Sequence, residues 1–460
     1  MKKLILAVSI LLGFTSGCAN PDQNPVVGES EASQRRQAPH AVDPGARGGA
    51  AGAGNALPQL EAGYQAQFDE GLDTFQEIDT VRGGNGTSAG LGPRFNLDSC
   101  VGCHAQPAPG GSSPAANPQR ALATRDHQTV PWFVAADGPV REARFKRNQD
   151  GTRDGGVHDL FVITGRTDNP PGCSLAQPDF GKTGNPLTGQ GGNQNVVFRI
   201  PTPLFGAGLI ESIPDAAILA NMSANAAKRK GQGISGHPNR SGNDGTITRF
   251  GWKAQNKSLI IFAGEAYNVE QGVTNDLFPQ EREDASACLV NALPEDRGQL
   301  DPATLLPTPG DADRFATFMR LLAPPTPAPL TPGAAAGRAT FSQVGCALCH
   351  TPTMTTSASP LAALDRQAVN LYSDLLLHDM GTELADDIPQ GAAGPSEFRT
   401  APLWGVGQRL FFLHDGRTAD LLQAIEAHAS SGSEANGVIN QFNRLSDADA
   451  QNVLTFLRSL

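Results

Sequence analysis

The pattern Cys-x-x-Cys-His constrains this 460-residue chain more than any other feature. It occurs over residues 100–104 and again over residues 346–350, and the two copies use four of the seven cysteines. Two thiols at this spacing beside a histidine are typical of a covalent c-type haem, in which the thiols form thioethers and the imidazole binds the iron. We therefore predict two haem groups, with His104 and His350 as iron ligands. The predicted attachment residues are Cys100, Cys103, Cys346 and Cys349.

Other uses of paired cysteines fit these motifs less well. A zinc site needs more cysteine or histidine ligands nearby, and a redox dithiol does not need the adjacent histidine. The 52 Gly and 35 Pro predict a chain full of turns, which haem-centred domains tolerate because the porphyrin supplies apolar contact area. The net charge of −11 argues against a nucleic-acid partner. A small soluble substrate or a redox protein is the expected partner.

The N-terminus indicates export. Lys2 and Lys3 precede an apolar run over residues 4–14 that is too short to span a bilayer, and small residues follow up to Cys18. Residues 1–18 therefore resemble a bacterial lipoprotein signal peptide with Cys18 as the lipidated residue, and a plain secretory signal is the alternative. The absence of Asp after Cys18 favours the outer membrane over the inner one. We expect a protein on the periplasmic side that meets the membrane through a lipid anchor.

Composition also predicts the domain boundaries. Residues 19–58 are rich in Pro, Gly and Ala without apolar periodicity, so we expect a flexible tether. A Pro-rich linker over residues 324–334 separates an N-terminal domain, residues 59–323, from a C-terminal domain, residues 335–460. Each domain holds one haem motif. The predicted fold class is mainly α and loop-rich, with two cytochrome c-like domains.

Apolar periodicity predicts one helix before each haem motif and one at the end of each domain. The first begins near Leu60, and Asp311–Leu322 closes the N-terminal domain. Gly333–Gln343 precedes the second motif. A final helix follows Ser446, whose hydroxyl is placed to cap it.

Two smaller features belong to the N-terminal domain. Residues 130–134 and 195–200 are β-prone and predict a small inserted sheet or hairpin. Cys173 and Cys288 are an even pair in an oxidising compartment, so we expect a structural disulfide. A redox-active disulfide is the lesser alternative, because neither residue lies in a Cys-x-x-Cys arrangement.

Function depends on the second axial position of each haem. A haem with two strong protein ligands mainly transfers electrons, whereas an open or displaceable position lets peroxide or dioxygen bind. A methionine there raises the reduction potential and a histidine lowers it. The candidates at the second haem are His378, Met380, His414 and His428. At the first haem His127 is a candidate ligand or shield, with a surface histidine as the alternative.

Four further blocks, together with the haem motifs, resemble one family. The blocks are Pro201–Glu211, Arg249–Ala254, Leu377–Gly381 and Phe398–Gly405. From about residue 60 onward the chain is similar to the bacterial di-haem oxidoreductases, which are described as peroxidases or thiol oxidoreductases. Their distant relatives are the di-haem cytochrome c peroxidases, the di-haem enzyme that matures methylamine dehydrogenase, and rubber oxygenase. The resemblance implies that the N-terminal haem is the reactive centre and that the C-terminal haem transfers electrons.

The resemblance also implies an axial ligand. His414–Arg417 is similar to the family's segment before the helix that carries this ligand, and counting along that helix implies His428 where the peroxidases have methionine or tyrosine. His350 and His428 then form a bis-histidine pair, with Met380 as the alternative. The family's calcium-binding segment is replaced here by Arg409–Leu413, which makes a calcium site doubtful.

Two further roles are assigned from the residues. Glu211 ends an apolar run, where a carboxylate needs a reason, so we expect it to accept and return the proton of a bound peroxide. The alternative is an ordinary residue at a helix terminus. Trp252 or Trp404 is expected to relay electrons between the haems, with core packing as the alternative.

Three functions are compatible with these features. The first is an exported di-haem peroxidase that reduces hydroperoxide at the His104 haem. Its electrons come through the His350 haem from a redox protein or a small electron donor. The second is an electron-transfer cytochrome with both irons six-coordinate. The third is oxidation of an organic or protein substrate by a high-valent haem.

Overall fold

The computed structural model describes most of the chain beyond residue 39. The described residues are 40–80, 90–125, 128–147, 151–153, 159–160, 171–173, 175, 195–280, 286–289 and 294–460. The predicted signal peptide with Cys18 and the candidate ligand His127 lie outside these ranges. In the part of the chain that the structure describes, no helix is long and apolar enough to cross a membrane.

Helices provide most of the regular structure. The α-helices are α1 Ala62–Gln76, α2 Cys100–Cys103, α3 Pro118–Arg125, α4 Ala207–Glu211, α5 Asp215–Ala224, α6 Ala226–Gln232, α7 Leu259–Gln271, α8 Asp311–Leu321, α9 Pro332–Gln343, α10 Leu421–Glu426, α11 Asn436–Phe442 and α12 Asp447–Ser459. Single 3₁₀ turns lie at Ser286–Cys288, Cys346–Leu348, Ala362–Leu364 and Val406–Gln408. The predicted helices α8, α9 and α12 are confirmed, and the Ser446 hydroxyl caps α12 by accepting a hydrogen bond from Asp449 N.

The strands are short and pair in small antiparallel sheets. They are β1 Glu142–Phe145, β2 Asp159–Leu160, β3 Val196–Arg199, β4 Gln299–Leu300, β5 Pro307–Thr308, β6 Met354–Thr355, β7 Ala368–Val369, β8 Leu377–Asp379 and β9 Glu397–Arg399. β2, β1 and β3 form a three-stranded sheet, of which only β3 lies in a segment that the sequence predicts as β-prone. The sequence does not predict the β4–β5, β6–β7 and β8–β9 pairs. Residues 130–134 form no strand, because the chain turns there and Val134 N donates to Pro131 O.

The two haem motifs lie beside similar helix pairs. α1 precedes the first motif and packs on α8, and α9 precedes the second and packs on α12. A glycine permits each contact: a Cβ at Gly71 would lie 2.6 Å from Arg314 O, and one at Gly337 would lie 1.9 Å from Asn452 O. Without these side chains the helix backbones approach closely. The sequence duplication is therefore also a structural one.

Two hydrophobic cores support the motif histidines in the same way. The first joins α1 to α8, and the second joins α9 to α12. Phe75 of α1 lies 6.1 Å from the His104 ring, and Phe341 of α9 lies 6.3 Å from the His350 ring. An aromatic ring from the preceding helix thus restricts each imidazole.

Residues 40–58 are packed, so the predicted flexible tether is wrong for this part. Asp43 forms an ion pair with Arg458 of α12, and each side chain is 5% exposed. Leu57 N donates to Leu321 O at 2.7 Å. The prediction failed because Pro- and Gly-rich backbone can still bind partners that are distant in sequence. The earlier part of the predicted tether lies outside the described residues.

The Pro-rich linker is also fixed in place. Thr326 N donates to Gly52 O at 2.8 Å, and Ala328 N donates to Ser459 O at 2.7 Å. The described residues from His40 onward form one compact unit, and this unit contains both haem motifs.

Candidate haem-binding sites

The second haem motif opens into a largely apolar cavity. Cys346, Cys349 and His350 line it, with apolar side chains from α9 to α12. His350 Nδ1 lies 3.0 Å from Tyr372 O and must be the donor, because a carbonyl oxygen can only accept. This bond leaves the Nε2 lone pair for a metal.

His428 lines the same cavity in the same tautomer. It follows α10, and its Nδ1 donates to Ala424 O at 2.7 Å. Burial lowers the pKa of His428, and burial together with the neighbouring His428 ring lowers the pKa of His350 to about 4. Both rings are therefore neutral near pH 7, the form that binds iron. His350 and His428 thus line one cavity, and the bis-histidine pair stays a prediction.

His378 is not available as a ligand. Its Nε2 lies 3.0 Å from Asp374 Oδ2, and its Nδ1 lies 2.7 Å from Glu434 Oε2. Although burial opposes it, the charge of Asp374 raises the pKa of His378 well above its usual value. His378 is therefore a buried cation with both ring nitrogens occupied. Met380 also lines the cavity and remains the alternative to His428.

Two arginines give this cavity a place for carboxylates. Arg399 and Arg409 line it, and Arg399 Nε donates to Gly251 O at 3.1 Å. Burial lowers the pKa of each to about 10, so both stay charged. Among the described residues neither forms an ion pair with a carboxylate. Half-buried guanidinium groups that line a cavity in this way fit the propionates of a haem, so the residues present agree with the cofactor that the motif predicts.

The first haem motif opens into a second cavity. Cys100 and His104 line its main part, and Cys103 lines an adjoining part. His104 Nδ1 donates to Gly111 O at 3.0 Å, and burial lowers the pKa of His104. Of the described residues that line this cavity, His104 is the only histidine. In the part of the chain that the structure describes, the two cavities therefore differ, because histidines outside the motif line only the cavity of His350.

Three glutamates line the first cavity: Glu142, Glu265 and Glu270. Glu142 pairs with Arg144 at 3.2 Å. Glu270 lies beside the motif, where its charge adds to burial in raising the pKa of the two cysteine thiols. Glu265 projects from α7, and its carboxylate accepts a hydrogen bond from Asn256 Nδ2. Of these three glutamates, Glu265 is the one that neither lies beside the motif nor forms an ion pair with a cation of the described residues.

Glu211 lines neither of these two cavities, so the described structure does not bring it to a haem motif as the sequence predicts. Its carboxylate accepts a hydrogen bond from Leu259 N at 2.8 Å and another from Arg320 Nε at 2.7 Å. It thereby joins the N-terminus of α7 to α8. The carboxylate follows an apolar run for this structural reason, which is close to the alternative of a helix-terminus residue.

Trp252 lines both cavities. Its side chain is held by a hydrogen bond from Nε1 to Ile200 O at 2.9 Å, and its ring lies 6.4 Å from the His414 ring. The His414 ring stacks on Phe398 at 4.3 Å, and burial lowers the pKa of His414 to about 4. Trp404 instead belongs to the first core and lines neither cavity. Of the two candidate relay residues, Trp252 is the one between the motifs.

The remaining cysteines are accounted for. Cys173 and Cys288 form a disulfide with an S–S distance of 2.04 Å. The four motif cysteines take part in no disulfide among the described residues and line the two cavities, as thioether formation requires.

Comparison with known proteins identifies the family. A family model described as "Di-haem oxidoreductase, putative peroxidase" matches residues 184–460, more than half of the chain. The chain belongs to the di-haem oxidoreductase family. The description of this family is that of haem oxidoreductases, and it supports a peroxidase-like role. The family model agrees with the resemblance drawn from the sequence blocks.

Two solved structures match at low similarity. The diheme peroxidase BthA from Burkholderia thailandensis is 16% identical with a TM-score of 0.29, and the match covers 46% of this chain and 65% of that chain. Hydrazine synthase from Kuenenia stuttgartiensis is 18% identical with a TM-score of 0.22, and the match covers 33% of this chain and 55% of that chain. The chain thus spans about half to two thirds of the length of these proteins. No curated protein matches the chain.

Proposed function

We propose that the protein is an exported di-haem c-type cytochrome that reduces hydroperoxides at its N-terminal haem, with electrons delivered through its C-terminal haem. The inequality of the two cavities is the observation that carries this proposal. His428 lies in the cavity of His350, whereas the described part of the other cavity offers no histidine besides His104. A haem with a free axial position is the one that admits a peroxide.

The side chains of both cavities have roles in holding the cofactors. The motif cysteines would form the thioethers, and Arg399 and Arg409 would bind the propionates of the C-terminal haem. When bound, the N-terminal haem supplies peroxide reduction and the C-terminal haem supplies electrons. One turnover takes up a hydroperoxide, a pair of electrons and a pair of protons, and it releases an alcohol or water together with a water molecule.

Glu265 is the acid-base catalyst in this proposal. The reaction needs a group that takes the proton of the bound hydroperoxide and returns it to the leaving oxygen. Glu265 lies in the wall of the first cavity, and Asn256 holds its carboxylate. Glu211 has no access to this cavity and only supports α7.

Trp252 is the proposed electron relay. It lies in the wall shared by the two cavities, and its bond to Ile200 O keeps the indole in one orientation. Electron transfer between the sites then needs no movement of the chain. The donor is proposed to be a redox protein or a small electron donor.

The cellular placement completes the proposal. The signal over residues 1–18 and lipidation at Cys18 would put the protein on the periplasmic side, where c-type attachment is completed, with the outer membrane favoured. No calcium ion is part of the proposed site.

Rapid mixing tests the function directly. The holoprotein is reduced, mixed with hydrogen peroxide, and followed by haem absorbance together with peroxide consumption. We expect the reduced haems to be reoxidised in proportion to the peroxide consumed, and turnover to continue when a one-electron donor is added. A six-coordinate electron-transfer cytochrome of equal haem content serves as the control. Reoxidation no faster than in this control would overturn the proposal.

A further inference from the structure

A buried cluster of charges lies between the two cavities. Lys253 Nζ is 3.1 Å from Asp386 Oδ1, and Arg199 Nη2 is 2.7 Å from Asp386 Oδ2. The Lys253 and Asp386 side chains are 0% exposed, and that of Arg199 is 2% exposed. Charged side chains are rarely buried to this degree without a specific use, because their desolvation costs several kcal/mol.

The Lys253 ammonium is enclosed by oxygen atoms. It donates to Gly394 O and Glu397 O, each at 2.9 Å, and lies 3.3 Å from Pro395 O. With Asp386, these carbonyls satisfy all the protons of the ammonium. Its position is therefore fixed more rigidly than that of a lysine on the surface.

The cluster touches the walls of both cavities. Lys253 follows Trp252 directly, and its Nζ lies 4.0 Å from the centroid of the Phe398 ring. Phe398 lines the His350 cavity, Arg199 lines the His104 cavity, and Trp252 lines both. The positive charge thus lies against the groups that separate the proposed redox sites.

Among the described residues, the charged side chains of this cluster that are at most 2% exposed are the cations Lys253 and Arg199 and the anion Asp386. The carboxylate of Glu397 is 20% exposed and is bonded to His237, and its charge also acts on Lys253. A buried positive charge favours the reduced state of a nearby redox group, because each added electron lowers the local charge.

We propose that Lys253 is a positioning residue for electron transfer, whose caged ammonium raises the reduction potentials of the redox centres on both sides and holds the Trp252 segment against β9. This inference rests on the proposed function, in which both cavities hold haem. Burial lowers the pKa of Lys253 to about 8, so the ammonium is charged at pH 7.

Charge-paired variants test the inference in the holoprotein. Lys253→Met removes one positive charge, Asp386→Asn removes one negative charge, and the double variant restores the original balance. We expect the haem midpoint potentials to fall in Lys253→Met, to rise in Asp386→Asn, and to return towards the wild-type values in the double variant. The matched control is Lys257→Met, because Lys257 is 35% exposed and pairs with Asp244 at the surface. Its potentials should equal those of the wild type.

The outcomes separate this inference from the proposed function. The potentials are measured by redox titration without peroxide. If the midpoint potentials of the variants follow the expected order, the role of Lys253 is supported even if the protein does not turn over peroxide. Unchanged potentials, or shifts of the same sign in both single variants, would overturn it. If Lys253→Met fails to bind haem, the comparison of Asp386→Asn with the double variant still tests the inference. The midpoint potentials should be raised in Asp386→Asn and not in the double variant.

Discussion

Replacement of Glu265 by Gln should remove acid-base catalysis in the first cavity and leave the other properties of the cavity unchanged. The amide has the size of the carboxylate, and its oxygen can still accept the hydrogen bond from Asn256 Nδ2. The cavity shape and the haem environment are therefore retained. What is lost is a group that can take up the peroxide proton.

The expected loss of turnover follows from that single change. General acid-base catalysis contributes about 10²–10⁴-fold in rate, which corresponds to about 3–5 kcal/mol in the activation free energy at 1.36 kcal/mol per tenfold. Steady-state turnover with saturating hydrogen peroxide and a one-electron donor measures this loss. The absorption spectra of both haems should be unchanged in the variant.

Glu211→Gln is the matched control. Glu211 contacts Leu259 N and Arg320 outside both cavities, so its turnover should equal that of the wild type. The Arg320 side chain is 36% exposed, and such a pair contributes only about 0.2–1 kcal/mol to stability. Normal turnover in Glu265→Gln, or a large loss in Glu211→Gln, would refute the assignment.

Three further changes test other parts of the structure. His428→Ala should convert the C-terminal haem from low spin to high spin in its absorption spectrum. His378→Ala should leave the spin state unchanged, because carboxylates hold both nitrogens of His378. The reverse result would make His378 the axial ligand instead of His428. Asp43→Ala leaves the Arg458 guanidinium buried without its partner, so chemical denaturation should show a loss of about 3–5 kcal/mol in the free energy of unfolding; no loss would show that the segment is not docked in solution. Burial raises the pKa of Asp79 from 3.8 to about 7, so the folded state holds the proton of this carboxyl more tightly than the unfolded state does. The free energy of unfolding should therefore fall as pH rises through this window, by up to about 4 kcal/mol at 1.36 kcal/mol per pKa unit. Asp79→Asn should remove that dependence in denaturation curves measured at pH 4 and pH 8, and an unchanged slope would contradict it.

Local sequence signals predicted the helices and the two motifs well. α8, α9 and α12 have regular apolar faces or clear caps, and the histidine beside each cysteine pair needed no tertiary information. The Gly71 and Gly337 contacts show why the helix pairs were harder to foresee. Such contacts depend on which helices meet, and this is not a property of either helix alone.

Sequence patterns are least informative where residues that are far apart in the sequence contact each other. Asp43 is 415 residues from its partner Arg458, so composition alone made its segment look unstructured. Glu211 has a structural partner in Leu259, 48 residues away, that no local pattern could reveal. Trp252 is a related case, because its place between the cavities follows only from the folded chain.

The choice of axial ligand for the second haem also depends on contacts that only the folded chain shows. His378 and His428 both line the cavity of the second motif, and the sequence alone offers each as a ligand. The structure separates them through Asp374 and Glu434, which occupy both nitrogens of His378. A histidine ligand is thus distinguished by the partners of its two nitrogens.

The central claim is that the two haem sites are unequal. Titration of the oxidised holoprotein with cyanide, followed by electron paramagnetic resonance, measures this most directly. We expect one cyanide to bind per two haems and to leave the signal of a bis-histidine low-spin haem unchanged. His428→Ala should remove that signal. Binding of no cyanide, or of one to each haem, would contradict the claim.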